Sequence, residues 1–429
     1  MSGNGQINAT VVVLGDLGRS PRMQYHARSL ADLGAEVDFV GYAGSALPET
    51  IARHPRIHSH LLPPRPVQAL DLIENSLASA VSIFRIAVQA IKLFRLLLFG
   101  VRRPDLMLLQ NPPGIPALAV MLICARLRSA RVVVDWHNFG YTVLALKAPP
   151  DGTRVRLTRW YERTLGRRAD GHLCVSRAMQ KQLQEGWGLH DVEIVYDRPA
   201  PAFVPARSEA REEPPPVIAD LFGRNGHGPG RRRPALLVTS TSWTPDEDFD
   251  LLLDALSRVD AAVAERDAST FPELRVAITG DGPLKRFYEE KIAAVRLRRI
   301  QIRTAWLTPE DYPLFLRCAD LGLCFHRSSS GVDLPMKIAD MLGSGLPVLA
   351  FDYGPCLAER LSHGDNGLVF SDAAELAEQI VDLFKDFPEP AELLGSLRRN
   401  VARSCEARWE DEWRARAWPA LQRCLHAHE

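Results

Sequence analysis

No cysteine pair in this chain has the spacing of a metal or redox motif, and no charge of either sign prevails. No uncharged apolar run approaches the ~20 residues of a membrane-spanning helix. Each absence removes a class of protein. The seven cysteines (Cys124, Cys174, Cys318, Cys324, Cys356, Cys405, Cys424) are odd in number and sit mostly in apolar runs. Buried free thiols in a reducing compartment are therefore expected, rather than a disulfide framework or a zinc site. Lys+Arg and Asp+Glu both number 52, so net charge implies no nucleic-acid partner. The opening MSGNGQINAT lacks a charged region followed by an apolar one, and no signal peptide is read from it.

What is present is a repeating alternation. At 429 residues, 46% hydrophobic and 24% charged, the chain has the composition of a soluble globular protein too long for a single core. ATVVVLGD, AEVDFVGY, DLMLLQ, RVVVDWHN and DGHLCVS read as buried strands, each followed by a helical segment. A second series begins after residue 234 with ALLVTSTSWT, LRVAITGDG, QIRTAWL, DLGLCFH, PVLAFD and NGLVF. This is the pattern of an α/β protein with two Rossmann-like, doubly wound parallel sheets facing a cleft. The expected division is 1–200, a Pro-, Gly- and charge-rich exposed linker at 201–234, a second domain at 235–403, and a C-terminal helix at 404–429 packing back on the first. Ligands of such sheets bind beyond the carboxyl ends of the strands. The loops GDLGRS, VDWHN, TSTSWT and TGDGP all fall there.

Gly15 and Gly18 follow the first strand, and Glu36 or Asp38 stands where a ribose-binding acid of a dinucleotide fold would be. The third glycine of that fingerprint is replaced by Pro21, which argues against a nicotinamide enzyme. Ser20 is expected to cap the helix that Pro21 opens. In TSWTPDEDFD, the acids at 246, 247, 248 and 250 suggest a metal site, but a capping box of Thr244 and Glu247 around Pro245 explains them without one. Gly280 and Gly282 allow either a ligand approach or an ordinary tight turn. SSSGVDLPMKIADMLGSGLPV carries Asp333, Lys337 and Asp340 around a helix start at Pro335. Free N–H groups there make an anion site, Lys337 adds a cation for phosphate, and Asp340 can accept from ribose hydroxyls.

Residues 76–103 contain no acid. At about 100° per residue, Arg85, Lys92, Arg95, Arg102 and Arg103 share one arc of a helix otherwise covered by Leu, Ile, Phe and Val. That profile fits a helix lying on an anionic membrane surface, or equally a core helix with a solvated basic edge. Arg156, Arg159, Arg163 and Arg167 form a second basic stripe.

Together these features resemble a GT-B glycosyltransferase. VVVLGDLGRSPRMQYHARSLA, LLQNPPGIP, VVDWHNFGYTVLAL, VYDRPAPAF, STSWTPDEDFDLLLDAL and GVDLPMKIADMLGSGLPV are similar, in order, to the chitobiosyldiphosphodolichol β-mannosyltransferases. The resemblance covers about residues 11 to 370. It implies inverting transfer of mannose, in β-1,4 linkage, from GDP-mannose to dolichyl-diphospho-chitobiose, an early step of lipid-linked oligosaccharide assembly for N-glycosylation. It also implies the cytosolic side of the endoplasmic reticulum. Such members typically begin with a membrane anchor; here anchoring would fall to the basic amphipathic stretch, as a peripheral attachment. Other enzymes of the same pathway are further expected partners. No cofactor is required, and a divalent metal is allowed but not implied.

For this chemistry the base is to be sought among Asp16, Asp135 and His137, which remain alternatives. His26, inside the first helix, is set aside. Gly15, Gly18, Arg19 and Asn138 are expected to bind substrate. Ser242, Trp243, Thr244, Gly280, Gly282, Asp333, Lys337 and Asp340 should line the donor path, with the amides after Gly331 on the diphosphate and Trp306 stacking on the guanine. A glycosyltransferase with another lipid or glycan acceptor, or a non-catalytic relative, is the alternative.

Overall fold

The structure, a computed structural model, describes residues 6–63, 76–205, 216–223, 233–264, 271–389, 391–404 and 407–426. The chain divides into two compact units, Met1–Tyr196 with Glu410–Glu429, and Asp197–Trp409.

In the first unit the strands are β1 (Asn8–Asp16), β2 (Glu36–Tyr42), β3 (Ile57–Leu62), β4 (Leu106–Asn111), β5 (Arg131–Trp136), β6 (Gly171–Cys174) and β7 (Val192–Ile194). They form one parallel sheet in the order β3-β2-β1-β4-β5-β6-β7. Central strands such as Val11–Leu14, Leu106–Leu109 and Val132–Val134 are buried continuously, as strands covered on both faces must be. β3 and β7 were not anticipated; one, IHSHLL, carries three polar residues in a row and the other has only three residues. The order of connection reverses between β1 and β4, which opens a crevice at their carboxyl ends.

The helices needed below are α1 (Pro21–Asp32), α2 (Ser76–Arg95), α3 (Ala117–Arg128), α4 (Gly140–Ala145), α5 (Thr153–Gly166), α6 (Phe249–Val263) and α7 (Met336–Gly343). Pro21 does open α1, but Ser20 does not cap it; its hydroxyl donates to the Asp16 carbonyl at 2.8 Å. α2 continues into a wide turn, Leu96–Gly100, so Arg102 and Arg103 lie past its end rather than on its basic arc. Among the described residues no helix is long and apolar enough to cross a membrane.

The second unit has β8 (Ala235–Thr241), β9 (Leu274–Gly280), β10 (Ile300–Ala305), β11 (Leu321–Cys324), β12 (Val348–Phe351) and β13 (Gly367–Phe370). These are again parallel, in the order β10-β9-β8-β11-β12-β13, with the reversal between β8 and β11. The stretch read as an exposed linker is not simply a tether. Within it Phe203, Ile218 and Phe222 are buried in the core of this unit, the last two on the helix Pro216–Phe222. An apolar pair four residues apart on one helix face outweighs the surrounding proline and charge; the rest of that stretch, 206–215 and 224–232, lies outside the described residues. Six cysteines are free thiols, and Cys405 lies outside the described residues.

Candidate active site

β5 ends its buried valine run at Asp135, and a strand's period of two puts His137 on the same face just beyond it. Asp135 is fully buried and acts as a hub. Arg22 meets it in a two-pronged pair, Nε to Oδ2 at 2.8 Å and Nη2 to Oδ1 at 2.9 Å. The Nε2 atoms of His26 and His137 lie 3.1 and 2.8 Å from Oδ2. Arg22 and His26 stand four apart on α1, so one helix face delivers both. Burial alone would raise the Asp135 pKa, but Arg22 and the two histidines hold it well below the usual carboxylate range. Trp413 Nε1 lies 2.9 Å from His26 Nδ1.

The tautomers follow from which groups can donate. An indole N–H only donates, so His26 Nδ1 accepts and His26 Nε2 carries the proton directed at Asp135. The ionised carboxylate likewise takes an N–H from His137 Nε2. This leaves the Nδ1 lone pair of the half-buried His137 without a recorded partner among the described residues. An orienting acid behind an imidazole with one open nitrogen can accept a proton from a substrate hydroxyl.

Asp16 is differently placed. Its carboxylate accepts from the Gly18 amide at 2.9 Å and from the Ser45 amide and hydroxyl at 2.8 and 2.9 Å. Three donors thus occupy this carboxylate and make it an organiser of the loop. Gly18 is needed there because a Cβ would come within 2.4 Å of the Ser45 carbonyl, whereas Gly15 has room for one. Arg19 is exposed. The Asn138 side chain accepts from the Phe139 amide, 2.7 Å away, just before α4. Asp38, the candidate ribose acid of a dinucleotide site, is buried and occupied by His60 at 2.7 Å and the Arg102 amide at 3.0 Å.

Sequence reasoning missed Arg22 and Glu162, and it set aside His26, which the structure places on Asp135. Glu162 of α5 is buried and accepts from the Asn111 side chain at 3.0 Å and the Gly140 amide at 2.9 Å, which fixes the loop that carries His137. Burial pushes its pKa up to about 7.

In the second unit, the loop after β8 and the loop between β11 and α7 are tied together. The Thr244–Glu247 capping box does not form; Asp248 caps α6 by accepting from the Asp250 and Leu251 amides at 3.1 and 3.3 Å. Glu247 turns inward instead, accepting from the Thr241 hydroxyl, the Ser242 amide and Lys337. Lys337 also donates to the Ser240 carbonyl at 2.6 Å. Burial opposes its charge, yet Glu247 holds the ammonium above its ordinary range. Lys337 therefore reaches a ligand only as half of an ion pair.

Asp333 is buried and receives His326 at 2.9 Å, the Ser330 hydroxyl at 3.0 Å and the Ser328 hydroxyl. His326 spans Asp333 and Asp246, and their hydrogen bonds outweigh burial to raise its pKa to about 9. The Gly331 and Val332 amides turn toward the Ser328 and Ser330 hydroxyls, at 2.8 and 3.4 Å, and so are not aimed at a ligand. Four carboxylates (Asp246, Glu247, Asp248, Asp333) face three cations (His326, Arg327, Lys337) in these loops. An anion would thus be held by the free amides at the start of α7 rather than by surplus positive charge.

Asp340, a turn into α7, is half-buried, and among the described residues its carboxyl has no hydrogen-bond partner. Burial, and then Asp197, push its pKa up to about 8.

Trp243 does not line a ligand path with its side chain. Its φ is +48°, the ring is fully buried against Phe249 and Tyr288, and Nε1 donates to the Gly280 carbonyl at 3.2 Å. The glycines of TGDGP answer to this same loop. A Cβ on Gly280 would lie 1.8 Å from the Thr241 carbonyl, and one on Gly282 1.7 Å from that of Ser242. Ser242 is exposed, Thr244 bonds Asp246, and Trp306 is exposed just after β10.

Residues 18–199 match a family model described as a glycosyl transferase 4-like domain, and 233–386 match glycosyl transferases group 1. The chitobiosyldiphosphodolichol beta-mannosyltransferase of Homo sapiens is 40% identical over 96% of this chain and 92% of its own length. The chain belongs to that family. It is a glycosyltransferase of the GT-B fold. An Arabidopsis thaliana relative, 42% identical over 96% of this chain and 97% of its own, is named UDP-glycosyltransferase TURAN. Among solved structures, a glycosyltransferase from Rickettsia africae superposes with a TM-score of 0.68 at 15% identity, covering 99% of this chain and 100% of its own. Anabaena HepE in complex with UDP-glucose gives 0.64 at 16% identity, covering 99% of each chain. The two solved structures speak for the fold alone.

Proposed function

We propose that this family member transfers one mannosyl residue from GDP-mannose to a lipid-diphosphate-linked chitobiose, in β-1,4 linkage and with inversion. The observation that carries the reading is the Asp135–His137 pair, with its open Nδ1, at the carboxyl end of β5. The acceptor hydroxyl attacks the anomeric carbon opposite the diphosphate and gives its proton to His137 Nδ1. The bond from the anomeric carbon to the diphosphate breaks, and the electron pair leaves with GDP. Asp135 stabilises the imidazolium that forms. Amides at the start of α7 receive the diphosphate charge, helped by the remaining donor of Lys337. Near neutral pH Asp340 is largely protonated and can both donate to and accept from ribose hydroxyls. Trp306 is the surface on which the guanine stacks.

The name of the Arabidopsis relative favours a second donor reading, a uridine nucleotide sugar. Competition between GDP-mannose and UDP-glucose for the purified chain separates the two. The base assignment is tested with His137→Gln. Turnover should fall by about 10²–10⁴-fold, the range of general-base catalysis, while donor affinity is kept. Unchanged turnover would remove His137 from the mechanism.

The setting we propose is the cytosolic face of a membrane, the endoplasmic reticulum in a eukaryote. Supporting it are exposed Phe84 (69%), Ile91 (59%) and Phe99 (78%) on and after α2, beside exposed Lys92 and Arg95. α2 packs on α3, whose Ile123 and Leu127 are exposed, and α3 on α5, whose Leu157 and Trp160 are exposed among Arg156, Arg159 and Arg163. Apolar side chains interleaved with arginine suit an anionic lipid surface. Arg102 and Arg103 leave this proposal, because Arg102 pairs with Asp38 at 3.2 Å and Arg103 donates to the Arg128 carbonyl at 3.2 Å.

A further inference from the structure

The C-terminal segment contributes a residue to the base's support that nothing in the motifs indicates. Trp413 opens the wide turn Trp413–Ala417, and its ring is fully buried and stacked on Trp418, with centroids 5.9 Å apart and planes 18° apart. Any large aromatic would satisfy that packing. The indole N–H does something packing does not require, since it points at His26 Nδ1 at 2.9 Å. We propose that Trp413 is a positioning residue for the transfer. With the Asp135 carboxylate holding the proton on Nε2, the Trp413 N–H keeps Nδ1 unprotonated and His26 neutral, and so leaves the Asp135 charge to His137.

The argument is one of exclusion. With a donor facing Nδ1, a proton on that nitrogen would place two N–H groups head to head, so His26 stays neutral with its proton on Nε2. Burial, which lowers the His26 pKa, acts in the same sense. Asp135 Oδ2 then takes N–H groups from His26, His137 and Arg22 at 3.1, 2.8 and 2.8 Å, which leaves the carboxylate little freedom to rotate. Without that N–H, Nδ1 could take a proton, and an imidazolium on Oδ2 would draw the Asp135 charge away from His137. The inference rests on His137 being the base. The bland alternative is that a buried indole merely needs an acceptor, in which case its loss would cost stability and leave the chemistry intact.

The test uses the full chain labelled with ¹⁵N-histidine, in which the nitrogen shifts of His26, assigned by their loss in His26→Gln, report its tautomer. Trp413→Phe keeps a ring and removes the N–H; Trp418→Phe perturbs the same stack and leaves that N–H in place. The expected result is a single Nε2–H pattern in the unaltered chain and in Trp418→Phe. Trp413→Phe should add the pattern of the imidazolium, protonated on both nitrogens, with kcat down about tenfold and KM for GDP-mannose within twofold, the scale on which outer partners of a functional histidine act. The proposal is overturned if Trp413→Phe keeps kcat within twofold, if it loses kcat with the His26 pattern unchanged, or if Trp418→Phe does the same damage. Failure of the base reading shows separately: His137→Gln would keep turnover while Trp413→Phe still altered His26.

Discussion

Replacing Arg22 with methionine removes both guanidinium bonds to Asp135 and leaves a buried carboxylate with neutral donors only. Breaking a buried pair from one side costs about 3–5 kcal/mol, so the urea midpoint should drop with the slope unchanged. The same hub sets a pH limit. The Asp135 pKa is lowered on folding, so its contribution is present above the ordinary carboxylate value of 3.8 and is lost as pH falls below it. His326 has the opposite sense. Its pKa rises from 6.5 to about 9, so its contribution is full below 6.5 and disappears as pH climbs through about 9. A thermal-melt series from pH 6 to 10 should decline over that window, and His326→Gln should flatten the decline. Burial, and then Asp197, raise the Asp340 pKa to about 8, so folding disfavours its ionised form. Asp340→Asn is expected to leave stability at pH 8 equal or higher while weakening GDP-mannose binding, a combination that calorimetry and melting would show together.

At the scale of elements, buried parallel strands announce themselves as continuous Val/Leu runs, and both sheets were legible for that reason. The site was legible only where chemistry sits on a strand end. Asp135 and His137 are such residues. Arg22 and His26 are not, because a charged pair on a helix reads as a solvated face until the sheet behind it is known. Glu247 was misread for a related reason: Thr-Pro-Asp-Glu fits a capping box locally, yet the chain here pairs Glu247 with His326 as an isolated antiparallel bridge and delivers its carboxylate to Lys337. The donor loop depends on that close approach. Gly282→Ala, whose Cβ would meet the Ser242 carbonyl at 1.7 Å, should destabilise by about 1–3 kcal/mol and lower donor affinity together. An unchanged denaturant midpoint would contradict this account of the loop.

For the whole molecule, even charge balance coexists with exposed basic residues on α2 and α5, on which the proposed membrane setting rests. Lys92→Gln with Arg95→Gln should weaken partitioning onto phosphatidylserine vesicles by about 2 kcal/mol, roughly thirtyfold, on the basis of ~1 kcal/mol per basic residue at an anionic surface. Sedimentation at two salt concentrations would read it, and no loss would move the membrane face elsewhere. The account as a whole is tested most directly by one incubation. Purified protein is given GDP-mannose and a short-chain lipid-diphosphate-chitobiose, and the product is examined by mass and by β-mannosidase digestion. The account predicts one added hexose, released by β-mannosidase. An α-linked hexose, transfer from UDP-sugars alone, or no transfer and no GDP-mannose binding would contradict it.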